Sequence, residues 1–397
     1  METSVIDLCG SETTTRKIDH LRINLEENVQ FRGLTTGLEM LYLPHAALPE
    51  LDLQAVNTTQ RLFGKQLNSP VLISSMTGGT PWGREINRAL AEAAQIRGIA
   101  LGLGSMRAAL EHPALLSTFA VRDVAPDILL LANLGAVQLN YGYTAEHCRR
   151  LVELVQADVL VLHLNALQEA VQAEGNTNFS GLLSKIETVV RELAKDQIPV
   201  VVKEVGWGFS QETSRLLAQT GIAAIDASGA GGTSWSEVER YRAPTPAHRQ
   251  VASAFINWGI PTVQSILNVR TGAPTLLVFA SGGIRTSIDV AKCIALGSSL
   301  VGMASPFLKA AVVSTEAVLQ FIDSILWELR IAMFCCGASN LETLAKTPLL
   351  CRGALYGFGR AVHCQCAGTG PLGTAPAESE TAHALDPTAR PWPWVAV

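Results

Sequence analysis

Eight short apolar runs recur along this chain, each stopping at a glycine or a polar cluster: Val71-Leu-Ile-Ser, Ile99-Ala-Leu-Gly, Ile128-Leu-Leu-Leu, Asp158-Val-Leu-Val, Pro199-Val-Val-Val, Ala223-Ala-Ile-Asp, Leu276-Leu-Val-Phe and Leu300-Val-Gly-Met. Unbroken Val/Ile/Leu runs of this length suit strands buried on both faces, and most of the intervening segments carry helical period and charge, as βαβ crossovers require. The pattern predicts an α/β fold, a (β/α)8 TIM barrel whose polar strand ends converge on one rim. Residues 1–65 read as a polar N-terminal extension carrying the basic cluster Arg16-Lys-Ile-Asp-His20, and residues 66–355 as the barrel with its C-terminal helices. Residues 356–397, rich in Gly, Pro, Ala and Thr without period, read as a disordered tail. Gly231 to Pro246 reads as a long loop of the kind that serves as a lid, and Phe307 to Phe334 as one helix.

At 397 residues the chain exceeds the roughly 250 typical of such a barrel, and the extensions account for the excess. Hydrophobic residues at 48% and charged residues at 16% favour a large core and an oligomeric surface, while a net charge of −5 argues against nucleic-acid binding. The first residues lack the basic and apolar regions of a leader. Glycine, serine and Pro306 interrupt the most uncharged stretch, between Lys292 and Lys309, so no membrane span is expected and the cytoplasm is the expected location. The eight cysteines contain no CxxC pair, which makes reduced thiols the default. Cys364 and Cys366 beside His363 read as chance enrichment rather than a metal site.

The chemistry concentrates at the strand ends. The seventh and eighth runs close on Ser281-Gly-Gly-Ile-Arg285 and Gly302-Met-Ala304, where barrels commonly hold a phosphate through glycine amides and a charge-assisted arginine contact. The first three end in Ser75-Met-Thr-Gly-Gly79, Gly104-Ser-Met-Arg107 and Asn133-Leu-Gly135, which offer hydroxyl, amide and backbone donors. His163-Leu-Asn165 with Gln168-Glu169 follows the fourth, and Ser228 and Thr233 follow the sixth. Lys203, at the end of the fifth, would face the barrel mouth and needs an anionic partner there. A reduced flavin is one such partner and a Schiff-base aldehyde the other; the phosphate site and amide donors favour flavin mononucleotide (FMN).

Seven motifs in order, Arg16-Lys-Ile-Asp-His, Met76-Thr-Gly-Gly, Gly104-Ser-Met-Arg, His163-Leu-Asn-Ala-Leu-Gln-Glu, Val202-Lys-Glu-Val-Gly, Ser228-Gly-Ala-Gly-Gly-Thr and Ser281-Gly-Gly-Ile-Arg, resemble the type 2 isopentenyl-diphosphate isomerases over residues 15–350. The resemblance implies that Met76, Thr77, Gly78, Ser105, Asn133, Lys203, Ser228, Thr233, Gly283, Ile284, Arg285, Met303 and Ala304 surround FMN. It implies that Arg16, Lys17, Ser105, Met106, Arg107 and Gln168 hold isopentenyl diphosphate, that Glu169 binds Mg²⁺, and that His163, Asn165, Gln168 and Lys203 are catalytic. The implied reaction moves a double bond to give dimethylallyl diphosphate without net redox change, on a flavin reduced by NADPH, with its N5 as proton carrier. A homo-oligomer, tetramer or octamer, is also implied. Two departures stand out: Ala166 replaces the usual proline, which would loosen the turn that aims Gln168, and Asn176-Thr-Asn-Phe replaces an acidic turn.

Two FMN-barrel and nucleotide oxidoreductase readings compete. The α-hydroxy-acid oxidases need a histidine in the loop after the sixth strand, and inosinate-type dehydrogenases need a cysteine there; Ser228-Gly-Ala-Gly-Gly-Thr-Ser-Trp has neither. A catalytically inert flavin-binding scaffold is the non-enzymatic alternative, and the presence of Arg107, Gln168 and Glu169 argues against it.

Overall fold

The eight apolar runs become the eight strands of a closed parallel barrel: Val71–Ile73, Ala100–Gly102, Leu130–Gly135, Val159–Leu164, Val200–Glu204, Ala224–Asp226, Leu277–Ala280 and Leu300–Met303. Each pairs with the next in sequence, and the eighth closes on the first with Val301 opposite Val71. The computed structural model describes residues 12–352, which lie within one compact unit spanning Met1 to His363. The expected disordered tail and its Cys364 and Cys366 fall outside the described residues.

Because strand side chains alternate, residues two apart share a face. On five strands one such step takes the inner face from apolar to polar: Leu131 to Asn133, Val161 to His163, Val201 to Lys203, Ala224 to Asp226 and Phe279 to Ser281. The apolar halves form a packed interior cluster that also takes in Leu62 and Leu67. Those two leucines belong to a hairpin, Gln60–Leu62 with Lys65–Leu67, which closes the N-terminal end of the barrel and sets Phe63 edge-on to Phe279 at 6.3 Å. Lys65 and Arg122 converge on Asp158 at 3.3 and 2.8 Å, fastening the hairpin to the barrel wall. The hairpin straddles the division at residue 65 that the sequence suggested, so the end of the extension is the floor of the barrel.

At the opposite end, the helix Glu12–Glu26 turns Arg16, Lys17, His20, Leu21 and Asn24, residues three and four apart, toward the barrel mouth. The expected loop from Gly231 to Pro246 is largely a helix, Trp235–Arg242, followed by a second, Pro246–Ala254. Ser236, Glu237, Val238 and Glu239 are buried there; Arg32 and Arg240 pair with Glu237 through Oε1, leaving its Oε2 without a hydrogen-bond partner among the described residues, and His20 and Arg242 pair with Glu239, so that this pairing overrides a locally polar sequence. The predicted helix from Phe307 to Phe334 is two, Ser305–Ala311 and Thr315–Cys335, parted where the Ser314 side chain accepts from the Ala317 N–H. No helix among the described residues is long and apolar enough to cross a membrane.

Candidate active site

A cleft with about 1750 Å³ of empty space, counted out to its open mouth, occupies the C-terminal end of the barrel. Of the residues singled out in the sequence, all line it except Gly78, Met106 and Met303. Met106 and Met303 are fully buried in the core, and the Phe119 ring occupies the space that a side chain at Gly78 would need. Gly104, Gly282 and Gly302 line the cleft instead.

Lys203 has an internal partner that the sequence did not reveal. Its Nζ lies 3.1 Å from Asp226 Oδ2 and donates to Ser281 Oγ at 3.1 Å; Ser281 in turn donates to Asp226 Oδ1 at 2.6 Å. The anion required beside this lysine is therefore supplied first by the next strand, where Lys203 and Asp226 stand in register. Glu204, on the outward face, accepts from the backbone N–H groups of Val205, Gly206, Trp207 and Gly208 and so fixes the loop whose Val205 and Gly206 line the cleft. Burial raises the Glu204 pKa to about 7 against the pull of those amides and of Lys203.

His163 sits 2.8 Å from Asn133 Oδ1 through Nδ1, and Asn133 Nδ2 donates to Ser75 Oγ at 3.1 Å. With the Asn133 amide oriented in this way, Nδ1 carries the hydrogen and Nε2 is left as an acceptor. Burial, with Lys203 and Lys17 nearby, lowers the His163 pKa to about 4, so the ring is neutral at physiological pH.

The helix Ala166–Val171 begins at Ala166, the first helical position, where proline is favoured but not required. At its entry turn, Asn165 Nδ2 donates to Gln168 Oε1 at 3.2 Å and to Glu169 Oε1 at 2.8 Å. Gln168 Nε2 donates at 3.1 Å to Glu239 Oε1, which also meets His20 Nε2 at 3.0 Å, while Arg242 donates to Glu239 Oε2 at 2.7 Å. Burial alone would raise the Glu239 pKa; His20, Arg242 and Gln168 together hold it at about 2. Neither Glu239 nor Trp235, whose ring packs edge-on against His20 at 5.1 Å, was legible as part of the site, because both lie in the segment that reads as loop.

The cleft is strongly cationic. Arg16, Lys17, Arg107, Lys203 and Arg285 line it, against a single carboxylate among the described residues, Glu169. Arg107 pairs with Glu111 at 2.7 Å and Lys203 with Asp226, but Arg16, Lys17 and Arg285 form no ion pair among the described residues. Lys17 donates to the Ser105 carbonyl at 2.8 Å and lies 4.9 Å over the Phe119 ring. Burial, with Arg16 adding to it, lowers its pKa to about 7. Arg285 donates to Gln30 Oε1 at 3.0 Å and to the Ile284 carbonyl, and burial presses its pKa down. The glycines beside it serve packing as well: a side chain at Gly282 would come 2.1 Å from the Gly229 carbonyl, so the loops after the sixth and seventh strands touch through bare backbone.

The sequence profile of the FMN-dependent dehydrogenases matches residues 149–351. The isopentenyl-diphosphate delta-isomerase of Synechocystis sp. is 54% identical over 85% of this chain and 96% of its own length; that of Rickettsia bellii is 50% identical over 84% and 96%. Among solved structures, a mandelate oxidase mutant with benzaldehyde aligns over 88% of this chain and 99% of its own, with a TM-score of 0.59 at 18% identity, a likeness of fold alone. A lactate oxidase of Pediococcus acidilactici aligns over 83% and 86% with a TM-score of 0.55 at 16% identity. The chain belongs to the isopentenyl-diphosphate delta-isomerase family, in the type 2 branch built on the FMN-dependent dehydrogenase barrel.

Proposed function

We propose that this protein converts isopentenyl diphosphate to dimethylallyl diphosphate in isoprenoid biosynthesis, using FMN kept reduced by NADPH, and Mg²⁺. The observation that carries the reading is the charge of the cleft: on a chain of net charge −5, Arg16, Lys17 and Arg285 face one cavity and form no ion pair among the described residues. Half-buried cations without an ion pair call for an anionic ligand. Their separation in sequence suits two ligands, a phosphorylated cofactor near Arg285 and a diphosphate near Arg16 and Lys17.

The residues present fit both implied groups. For FMN, Gly282, Gly283 and Arg285 offer a cradle for the phosphate, Lys203 a donor at the ring, and Thr77, Asn133 and Ser228 polar atoms around it. Reduced FMN, when bound, would supply a ring nitrogen able to carry a proton to and from carbon. For Mg²⁺, Glu169 is the only carboxylate lining the cleft among the described residues, which suits an ion that binds through one or two carboxylates, waters and substrate phosphate oxygens.

In this reading Arg16, Lys17 and Arg107 clamp the diphosphate and so fix the substrate within the cleft. Lys203, held by Asp226 and Ser281, would present a fixed Nζ to a reduced flavin ring, whose negative charge it would stabilise. Neutral His163 offers Nε2 as an acceptor, and Gln168, fixed between Asn165 and Glu239, orients the other face of the substrate. Protonation of the terminal alkene gives tertiary carbocation character, and loss of the neighbouring proton completes the shift. The same proposal places the enzyme in the cytoplasm as a homo-oligomer, a tetramer or octamer.

An oxidase reading finds less support: among the described residues the cleft contains two histidines, His20 and His163, and neither lies in the loop after the sixth strand. Purified protein incubated with FMN, NADPH, Mg²⁺ and labelled isopentenyl diphosphate tests the proposal. Labelled dimethylallyl diphosphate is the expected result; yellow but inert protein would overturn it in favour of a scaffold.

A further inference from the structure

Asn176 lies in the turn where the sequence departs from its family's acidic pattern, and it occupies a junction that no sequence motif marks. Its Oδ1 accepts from Arg107 Nη1 at 3.1 Å and from Gln138 Nε2 at 3.1 Å, while its backbone N–H donates to Glu169 Oε2 at 2.6 Å. One residue thus touches the arginine assigned to the diphosphate, the carboxylate assigned to the cation, and a further buried amide that lines the cleft.

The approach is built in. A side chain at Gly175 would fall 1.8 Å from the Glu169 carbonyl, so only glycine lets the turn press against the end of the helix Ala166–Val171. On the other side of the turn, Glu174 Oε1 accepts from Arg242 at 2.9 Å, and Asn140 donates to the Asn178 and Ser180 carbonyls at 2.8 and 3.0 Å. Because Nε2 of Gln138 is committed to Asn176, its Oε1 is a buried acceptor without a partner among the described residues; so is Oδ1 of Asn165, whose Nδ2 is committed to Gln168 and Glu169. Two orphaned oxygens near a lone carboxylate are what the water shell of a cation would use.

We propose that Asn176 is a positioning residue that couples diphosphate binding to cation binding: its amide oxygen aims Arg107 and orients Gln138, and its backbone N–H holds Glu169. This rests on the isomerase reading for the identity of the substrate, though the coupling itself needs only a diphosphate and Mg²⁺.

Asn176→Leu, which keeps the size but removes the acceptor, tests the coupling against Asn176→Asp, which restores it. On FMN-loaded protein, Asn176→Leu is expected to raise KM for isopentenyl diphosphate about tenfold and to raise the Mg²⁺ concentration for half-activity, with kcat within about threefold of the parent. FMN affinity and thermal midpoint should stay at parent values, and Asn176→Asp should bring KM back to within about threefold. Calorimetry with inorganic pyrophosphate and Mg²⁺ gives a readout that needs no turnover: Asn176→Leu should bind pyrophosphate about tenfold more weakly with Mg²⁺ present. Gln138→Leu supplies a second variant, expected to raise the Mg²⁺ requirement alone. Parent-like pyrophosphate binding by Asn176→Leu would overturn the coupling whatever the activity, as would loss of FMN binding together with KM. A parent that binds pyrophosphate but does not isomerise would sink the isomerase reading and leave the coupling standing.

Discussion

The two ends of this barrel are built from the same strands and differ by one two-residue step. At the floor, Val201, Ala224 and Phe279 point inward and pack beneath the hairpin at Gln60–Leu67; at the mouth, Lys203, Asp226 and Ser281 occupy the next inward positions and form an ion pair bridged by a hydroxyl. The floor is dry and closed, and its cost of disruption is the cost of a cavity. The mouth is polar and open, and its residues carry buried charge that only a partner or a ligand can balance. Stability and chemistry are therefore stacked along one axis, which makes them separable by mutation.

The largest effect should come from the floor. Phe279→Ala removes a fully buried ring that packs against Phe63, and we expect it to destabilise the protein by about 3–5 kcal/mol in denaturant unfolding. Turnover per folded, flavin-loaded molecule should stay within about threefold of the parent; a larger loss would show that the two ends are not separable. At the mouth, Lys203→Gln should lower turnover about a hundredfold and weaken retention of reduced FMN with it, whereas activity within about threefold would remove the role given to this lysine. Lys203→Gln combined with Asp226→Asn sharpens the contrast. Replacing both charges should leave unfolding stability within about 1 kcal/mol of the parent while activity stays lost, because removing a whole buried pair costs far less than orphaning one partner. A double variant that unfolds like Phe279→Ala would mean that the pair serves the fold rather than the reaction.

The smallest predicted effect is a pH dependence. Lys17, its pKa lowered to about 7 by burial and by Arg16, loses its charge in the free enzyme as pH rises through that value. Hence kcat/KM for the diphosphate should fall above about pH 7, and Lys17→Arg should move that limb upward, since arginine stays charged. An unchanged limb in Lys17→Arg would assign it elsewhere. His163, near 4, should contribute no inflection between pH 6 and 8.

The strands and the rim were legible because their signal is local: an apolar run ending in glycine or a polar residue gives both a buried strand and its exposed tip. Lys203 was legible for the same reason. Asp226 was not, although it ends the sixth run, because its value depends on register with a neighbouring strand. Glu239 and Trp235 were hidden by a polar segment whose buried acid is balanced by Arg242 on the same helix and by His20, which comes from the N-terminal helix far away in sequence. The floor hairpin was missed for a related reason: Leu62 and Leu67 are too few to mark strands until the open barrel end they fill is known. Gly78, Met106 and Met303 show the converse, motif neighbours drawn into the site by sequence proximity while their positions serve packing.

The most direct test of the central claim, that the polar mouth isomerises isopentenyl diphosphate through proton transfer on bound flavin, compares turnover by the protein reconstituted with FMN and with its 5-deaza analogue, each under NADPH and Mg²⁺. Dimethylallyl diphosphate from the first and none from the second is the predicted result. Equal product from both would contradict it.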